Sequence, residues 1–277
     1  MIVISTMVRI VVFLCVVQMV LARGKPINIF EQKAGEDIAE PRDERVKMFN
    51  APYRNAFNLW NVKDSDGNVV IPYRIKGHFE RTSERENISA AIKRIEDNTC
   101  IRFRKRTNER DFIEIHNKFG EGCYANVGRY KGKSVVMLES NDNNTCVRIE
   151  IVLHELIHVI GLWHEHQRHD RDKYVKVHYK NVDKRYLDAF YKVYGTSYNL
   201  PYDYKSIMHY GKSRHAKPGK ISLETLDPQY QDEIGNQTDA SSIDYLKICA
   251  AYRCKRCLSK KIYSVINVGD NGGEYGG

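Results

Sequence analysis

The sequence predicts an α+β domain, with strands and long helices in its first part and mostly irregular chain in its second part. Short runs of alternating apolar residues, typical of strands, recur between residues 69 and 138. Two longer segments nearby repeat apolar residues with the period of a helix. The composition, 42% hydrophobic and 29% charged, is that of a folded protein and excludes a disordered chain.

The first strand is predicted at residues 69–75. Pro72 indicates that this strand lies at the edge of a sheet, because proline has no backbone N–H to donate a hydrogen bond to a neighbouring strand. A helix should begin near Ser83, since Ser83 and Glu86 have the spacing of a capping box. Apolar residues then recur on one helical face, at Ile88, Ala91, Ile92 and Ile95. Further strands of one sheet are expected at residues 101–103, 112–115 and 135–138.

A second long helix is predicted over residues 147–160, with Gly161 placed to end it in the left-handed conformation that glycine tolerates. Later helices are expected at residues 184–194 and 241–252. The chain from 195 to 236 is predicted to be mostly irregular. One domain of about 200 residues accounts for all of these elements.

Both ends of the chain are expected to lie outside this domain. Arg9 and the apolar stretch after it are typical of a signal peptide; an uncleaved membrane anchor is the alternative, although the stretch is short for a bilayer. The polar residues that follow indicate a pro-segment or linker. The predicted division is a signal peptide at 1–22, a pro-segment at 23–54, the folded domain at 55–252 and a basic, then glycine-rich tail at 253–277.

The cysteines and glycosylation sequons agree with export. Cys15 leaves with the signal peptide, and an even number of cysteines in a secreted chain predicts disulfides, whose pairing the sequence alone leaves open. The six that remain are Cys100, Cys123, Cys146, Cys249, Cys254 and Cys257. Sequons begin at Asn87, Asn143 and Asn236.

The formal net charge of +9 would suit an acidic partner, but the basic residues are scattered and match no nucleic-acid-binding pattern. We therefore expect no nucleic-acid partner. No segment after the signal peptide is apolar for long enough to cross a membrane, so no stable membrane insertion is expected. The domain is expected to be a monomer.

A metal site is predicted at the end of the second long helix. His154 and His158 are four residues apart, so both imidazoles lie on one helical face and can reach one ion. Gly161 lets the chain turn and present His164 as a third ligand. Three neutral imidazoles leave a coordination position for water, as in a catalytic zinc site, and Glu155 can accept a proton from that water.

The alternative interpretation of two such histidines and a glutamate is a solvated helix face. The glycine and the third histidine at set offsets favour the metal site over that alternative. The histidines without ligand spacing of their own are expected at the surface or in support of the site: His166, His169 and His209.

This run resembles the long zinc signature of the metzincins, and Glu165, directly after the third histidine, is similar to the astacin family in particular. Residues 206–210 resemble the Met-turn of that family. Further matches are Arg54-Asn55-Ala56, Ile71-Pro72-Tyr73, Gly122-Cys123-Tyr124 with Val127-Gly128, Gln167-Arg168 with Asp170-Arg171-Asp172, and Pro201-Tyr202-Asp203-Tyr204. The resemblance implies a metzincin-type, two-lobed zinc protease domain, with a mixed twisted sheet and long helices in its N-terminal lobe. Its C-terminal lobe would be irregular and contain a C-terminal helix.

The resemblance also implies roles for single residues. Met208 would form a hydrophobic floor beneath the metal. Tyr210 would be a displaceable zinc ligand that swings away and donates a hydrogen bond to the oxyanion of the reaction. Glu165 would lie beside the N-terminus freed by activation, and Asp37 of the pro-segment would cover the zinc beforehand. The implied disulfides are Cys100–Cys249 and Cys123–Cys146, which leaves Cys254 and Cys257 to bridge each other or to belong to a C-terminal appendage.

The expected function is that of a secreted zinc endopeptidase, with one Zn²⁺ per chain, that hydrolyses internal bonds of extracellular proteins or peptides. By the resemblance, a trypsin-like protease would cleave after Arg54 and start the mature enzyme at Asn55. The alternative is a catalytically silent binding module or venom-type toxin on the same fold. A structural zinc protein with a closed four-ligand site is a third class. The presence of every ligand and of the base favours the enzyme.

Overall fold

The computed structural model describes residues 52, 56–193 and 195–261. The predictions for the signal peptide, for Asp37 and for the glycine-rich end lie outside these residues. In the described part of the chain, no helix is both long and apolar enough to span a membrane. The described elements form an α+β domain with a mixed sheet, which confirms the predicted fold class.

A five-stranded sheet occupies the N-terminal part of the domain. Its strands are β1 (Val69–Ile75), β2 (Ile101–Lys105), β3 (Phe112–His116), β4 (Cys123–Ala125) and β5 (Lys133–Leu138). Their spatial order is β2-β1-β3-β5-β4, and all neighbours are parallel except β4, which runs antiparallel to β5. The sequence predicts four of these strands but not β4, whose three residues are too few to show a period.

Two helices, α1 (Thr82–Asn98) and α2 (Ile149–Ile160), pack against each other and against this sheet. Alternate strand residues such as Ile71, Ile113 and Val136 belong to the same apolar core as the buried faces of both helices. Burial of each large aliphatic side chain contributes roughly 1.5–3 kcal/mol to folding. This core supports the helix that carries the first two predicted ligands.

Two details of this lobe differ from the prediction. The assignment of β1 to a sheet edge is wrong, because β1 lies between β2 and β3. Pro72 is tolerated there because β1 pairs with β3 only from Tyr73 onward, after the proline. The capping box at Ser83 and Glu86 is also wrong: α1 begins at Thr82, so Ser83 lies inside its first turn.

The second half of the domain contains little regular structure. β6 (Val175–Val177) and β7 (Leu223–Thr225) form an antiparallel pair. The helix predicted at 241–252 is present as α3 (Ser242–Tyr252). A capping box starts it, since the Asp244 N–H donates to Ser241 Oγ and the Ser241 N–H donates to Asp244 Oδ2, both at 3.0 Å.

The helix predicted over residues 184–194 is wrong. Two short 3-10 helices are found instead, Lys184–Tyr186 and Asp188–Phe190. The Val193 N–H, which would bond to Ala189 O in an α-helix, donates to Gln167 O at 2.8 Å. Ala189 O bonds to His166 Nε2 at 3.0 Å. Contacts with the segment after the third ligand therefore replace the bonds of a continuous helix.

The described residues contain three disulfides, which are Cys100–Cys254, Cys123–Cys146 and Cys249–Cys257. The Cys123–Cys146 pair agrees with the family resemblance. The Cys100–Cys249 pair implied by the same resemblance is wrong, because Cys100 takes Cys254 as its partner.

The turn after α3 explains this pairing. Arg253 adopts a left-handed conformation, with φ 53° and ψ 47°, and reverses the chain. Cys254 then bonds to the residue before β2. A small hairpin of β8 (Arg256–Cys257) and β9 (Lys260–Lys261) brings Cys257 back to Cys249 in α3. The first residues of the predicted tail are thus disulfide-bonded to the domain.

Candidate metal centre

Helix α2 places two of the predicted ligands on one face. His154 and His158 are one helical turn apart, and their ring centroids are separated by 4.6 Å. Every α2 residue from Val152 to Ile160 except His154 is buried, including the predicted base Glu155 at 2% exposure. Close packing of the apolar core therefore holds both imidazoles in place.

The chain leaves α2 at Gly161, whose φ of 129° lies in the region that favours glycine. The turn brings the ring centroid of His164 to 4.8 Å from that of His158 and 5.5 Å from that of His154. One ligand atom from each histidine lies within 4.8 Å of the other two. The three predicted ligands therefore converge on one point.

An oxygen atom orients each of the three imidazoles. His154 Nδ1 lies 2.9 Å from Ile207 O, and His158 Nδ1 lies 2.7 Å from Leu162 O. His164 Nδ1 lies 3.2 Å from Gln167 Oε1. Because these oxygens only accept hydrogen bonds, each Nδ1 carries the hydrogen and each Nε2 presents its lone pair. Neutral imidazoles oriented in this way are the ligands that zinc takes in proteins, so the donor set fits a zinc ion.

The Met-turn at residues 206–210 is bonded to this site from two sides. Ile207 O receives the His154 hydrogen bond, and Met208 O accepts from the Glu165 N–H at 2.9 Å. Met208 is buried in the apolar core that contains α2. The turn therefore supports the first ligand and the segment after the third.

Comparison with known proteins identifies the family. The family model described as Astacin, a family of peptidases, matches residues 59–253. The chain belongs to the astacin family. It is 45% identical over 268 residues to zinc metalloproteinase nas-5 of Caenorhabditis elegans, an alignment that covers 90% of this chain and 74% of that protein.

Two further astacin relatives are fish enzymes. The low choriolytic enzyme of Oryzias latipes is 33% identical over 228 residues, which cover 82% of this chain and 80% of that protein. The solved structure of high choriolytic enzyme 1, a hatching enzyme zinc-protease of the same fish, has a TM-score of 0.64 and 36% identity, and the match covers 71% of this chain and 95% of that one. This astacin-family chain is therefore a zinc metalloendopeptidase with the astacin-type fold, and its histidine cluster fits the zinc site.

Tyr210 of this astacin-family chain stands beside the third ligand. Its ring centroid lies 4.3 Å from that of His164 and 4.1 Å from that of His166, on which it stacks. Burial, followed by the nearby His164, lowers the pKa of His166 well below its ordinary value, so His166 is neutral at pH 7. The predicted role of Tyr210 as displaceable ligand stays a prediction.

His209 also supports the site from the core. Tyr202 OH donates to His209 Nε2 at 2.8 Å, and His209 Nδ1 lies 2.7 Å from Tyr210 O. Burial lowers the pKa of His209 to about 4, outweighing the hydrogen bond to that carbonyl, which raises it. In the sequence, His209 directly follows the methionine of the Met-turn, and this position indicates its supporting role.

Glu165 is the centre of a buried ion network that the sequence does not predict. Arg168 Nη1 lies 3.1 Å from its Oε1, and Lys247 Nζ donates to its Oε2. Burial by itself raises the pKa of the Glu165 carboxyl, but Lys247 and Arg168 outweigh burial and hold that pKa below its ordinary value. Asn55 lies outside the described residues, so the contact of Glu165 with a freed N-terminus stays a prediction.

The three sequons differ in their surroundings. Asn143 and Asn236 are exposed. Asn87 lies half-buried on α1, and its amide nitrogen donates to Val147 O at 2.8 Å. The side chain of Asn87 is therefore less accessible to a glycan than those of the other two sequons. Glycosylation stays a prediction at all three.

Proposed function

We propose that this enzyme is secreted and hydrolyses internal peptide bonds of extracellular proteins, with Glu155 as the base that activates water at a zinc held by His154, His158 and His164. The observation that carries the proposal is the convergence of three imidazoles, each with its Nδ1 bonded to an oxygen. A structural site would need a fourth protein ligand, which the histidine cluster itself does not supply.

The residues of the site differ in the part that they take in the reaction. A zinc ion held by His154, His158 and His164 would lower the pKa of a water molecule at the site towards about 7. The Glu155 carboxylate accepts the proton of the attacking water and returns it to the amine of the leaving group. Tyr210 OH donates a hydrogen bond to the negative charge that develops on the carbonyl oxygen. Met208 packs in the core below and takes no part in proton transfer.

Secretion and activation complete the proposal. The signal-peptide pattern, the sequons and the three disulfides all suit an oxidising compartment. Asp37 would cover the zinc until a trypsin-like protease cuts after Arg54, and the active form would be a monomer. A catalytically silent binding module is disfavoured, because the base and all three ligands are present.

Replacement of the base tests this mechanism. Glu155→Gln should keep stoichiometric zinc, because no ligand changes, and should lose at least about 100-fold in the rate of casein cleavage, since general-base catalysis contributes about 10²–10⁴-fold. Metal content is measured by elemental analysis on the same sample. Treatment of the wild-type enzyme with a chelator, followed by added Zn²⁺, provides the control for metal dependence. Comparable proteolysis by wild type and variant would exclude Glu155 as the base.

A further inference from the structure

A basic hairpin, residues 253–260, lies at the C-terminal end of the described chain. It contains no acidic residue and four basic ones, all of them exposed: Arg253, Lys255, Arg256 and Lys260. Within the described part of the chain, none of these four side chains forms an ion pair with a carboxylate. The basic hairpin therefore presents four positive charges on a short exposed segment.

The backbone of the basic hairpin is fixed from several sides. Both of its cysteines are disulfide-bonded, one to the residue before β2 and the other to α3. The Leu258 N–H donates to Asn98 O, at the end of α1, at 2.9 Å. Leu258 and Ser259 form the turn with φ of 50° and 60°, values that residues other than glycine rarely adopt. Such a turn persists where surrounding contacts determine it, so this backbone is ordered before a ligand binds.

The catalytic site does not account for these charges. The zinc ligands, the base and the Met-turn all lie within residues 154–210. The match to the family model ends at residue 253, where the basic hairpin begins. The disulfides anchor the hairpin through its cysteines alone, so anchoring does not require the basic residues.

An acidic turn at residues 64–68 lies beside the basic hairpin. A Cβ at Gly67 would lie 4.0 Å from Lys255 Nζ. The Asp64 carboxylate accepts hydrogen bonds from its own turn, from the N–H groups of Asp66 and Asn68 at 3.0 and 2.9 Å and from the Asn68 amide at 3.1 Å. This carboxylate is therefore bonded within the turn and does not pair with the hairpin.

The basic hairpin and the helix of the first two zinc ligands contact opposite edges of the sheet. The hairpin is bonded to the residue before β2, which forms one edge. β4 forms the other edge, and Gly128, just after β4, donates its N–H to His158 O at 2.9 Å. Four strand intervals separate these edges, which is roughly 19 Å and about twice the distance over which salt screens surface charges. A ligand on the hairpin therefore leaves the β4 edge open.

The basic hairpin offers charge without an apolar surface. No aromatic or large apolar side chain within residues 253–260 is exposed. A site for single-stranded nucleic acid needs rings on which bases stack, and a membrane site needs apolar side chains that enter the bilayer. Arginine guanidinium groups bind oxyanions through paired N–H donors, and lysines add point charges. The chemistry that fits this surface is a hydrophilic polymer with repeated sulfate groups.

We propose that the basic hairpin binds a sulfated polysaccharide and retains the enzyme at an extracellular surface, apart from its catalytic cleft. This inference rests on the proposed function for secretion, which brings the enzyme to such polymers. The interaction requires neither zinc nor Glu155, so binding and proteolysis can be measured separately.

The first test uses the zinc-loaded wild-type enzyme and isothermal titration calorimetry. A heparin octasaccharide should bind at least about tenfold more tightly than the same oligosaccharide without its sulfates, because charge-assisted hydrogen bonds are lost with them. Its affinity should fall by at least about tenfold between about 50 and 200 mM salt, as counterion release requires for a polyanion. Equal affinity for the two oligosaccharides would overturn the proposal. So would duplex DNA or phosphatidylserine vesicles that bind as tightly as heparin.

The second test locates the polymer on the wild-type enzyme by acetylation of lysines, read by mass spectrometry. Heparin should protect Lys255 and Lys260 from the reagent. Lys180 and Lys217, which are exposed in the second half of the domain, should be modified equally with and without heparin. Protection of Lys180 and Lys217 in place of the hairpin lysines would overturn the proposal. This measurement needs no substitution, so it decides the matter even where a hairpin variant does not fold.

The third test removes the charges of the hairpin. The variant with all four basic residues of the hairpin changed to Gln should lose at least about tenfold in heparin affinity. The matched control removes the same number of charges from exposed lysines elsewhere, at Lys180, Lys184, Lys217 and Lys220, and should lose no more than about twofold. Zinc content and disulfide mapping verify that both variants are folded. Equal losses in the two variants would mean that net charge alone attracts heparin, and would overturn the proposal.

Catalysis provides the last measurement. Saturating heparin should leave kcat/KM for a short fluorogenic peptide within about twofold, because the hairpin and the β4 edge are far apart. Inhibition by about tenfold or more would place the polymer in the cleft and overturn the proposal. A failure of the proposed function would look different: the wild-type enzyme would bind heparin and would not cleave casein, or cells would not export it.

Discussion

The tyrosine of the Met-turn is held by aromatic neighbours on several sides. Besides the rings of His164 and His166, the ring of Phe190 lies edge-on at 6.0 Å and that of His215 at 5.1 Å. The ring of Tyr210 is buried among them, at 5% exposure. A phenol packed in this way has few orientations open to it, and its ring adjoins that of the third zinc ligand.

Removal of this hydroxyl group should therefore affect the chemical step more than binding. Tyr210→Phe is expected to lower kcat by about 100-fold, the typical cost of one oxyanion donor, with KM and zinc content nearly unchanged. Steady-state kinetics on a fluorogenic peptide and metal analysis measure the three quantities. Tyr204→Phe is the matched control, because Tyr204 belongs to the same apolar cluster as Tyr210 but its OH donates to Tyr174 O. A kcat equal to that of wild type in Tyr210→Phe would contradict the assigned role.

The zinc ligands and the lysine of the ion pair differ in how far the sequence can predict them. His154, His158 and His164 lie within one short run, so helical geometry and one glycine determine their convergence. Lys247 meets Glu165 only through the packing of α3 on the rest of the domain. From its own helix Lys247 cannot be distinguished from a solvated lysine, since α3 has buried residues on most of its surface.

At the scale of elements, the turn after α2 determines where the third ligand lies. Gly161 accepts a φ of 129° that an L-residue adopts only with strain, and its N–H closes the helix on Ile157 O and His158 O at 3.2 and 2.8 Å. The same conformation directs the chain towards His164. The turn therefore couples helix termination to metal binding.

Gly161→Ala should damage both properties. We expect a loss of about 2 kcal/mol in the free energy of unfolding, from backbone strain, and a zinc affinity lower by about tenfold because His164 is displaced. Gly132→Ala is the control: Gly132 also has a positive φ, of 86°, and a Cβ there would meet no atom within 4 Å. The control should lose stability but keep its zinc affinity. Equal zinc affinity in the Gly161 and Gly132 variants would show that the turn does not position the ligand.

The sequence predicts elements whose apolar residues recur with a clear strand or helix period. It does not predict elements whose shape depends on contacts with distant parts of the chain. The strand at residues 69–75 and the helices α2 and α3 follow from local pattern. The segment at 184–194 has helical residues, yet Ala189 O bonds to His166 instead of to the residue four positions later. This hydrogen bond is a contact between distant parts of the chain, so the local sequence pattern could not predict it.

At the scale of the whole molecule, the central sheet holds a buried carboxylate among basic partners from several strands. Glu114 of β3 has no exposed side-chain area and is bonded by Arg74, by His116 and, at 3.0 Å, by Lys133. Burial opposes ionisation of Glu114, but the hydrogen bonds from Lys133, Arg74 and His116 outweigh it and lower its pKa to about 2. Strand register brings these residues together from β1, β3 and β5, so sequence spacing could not reveal the cluster.

The Glu114 cluster should make stability depend on pH in a defined direction. The pKa is about 2 in the folded protein and near 4.5 in the unfolded chain, so the stabilisation is complete above about pH 4.5 and is lost as the pH falls towards 2. Glu114→Gln should therefore cost about 2 kcal/mol at pH 7, as expected when buried charge-assisted hydrogen bonds are lost. The difference from wild type in the free energy of unfolding should shrink progressively below pH 5.

Urea denaturation of both proteins at pH 7, 5, 4 and 3 measures this difference. Glu86→Gln, on the exposed side of α1, is the control. The charge of Glu114 is lost only between about pH 4.5 and pH 2. If the difference in the free energy of unfolding between wild type and Glu114→Gln stays constant down to pH 3, the ionised carboxylate is not what stabilises the sheet.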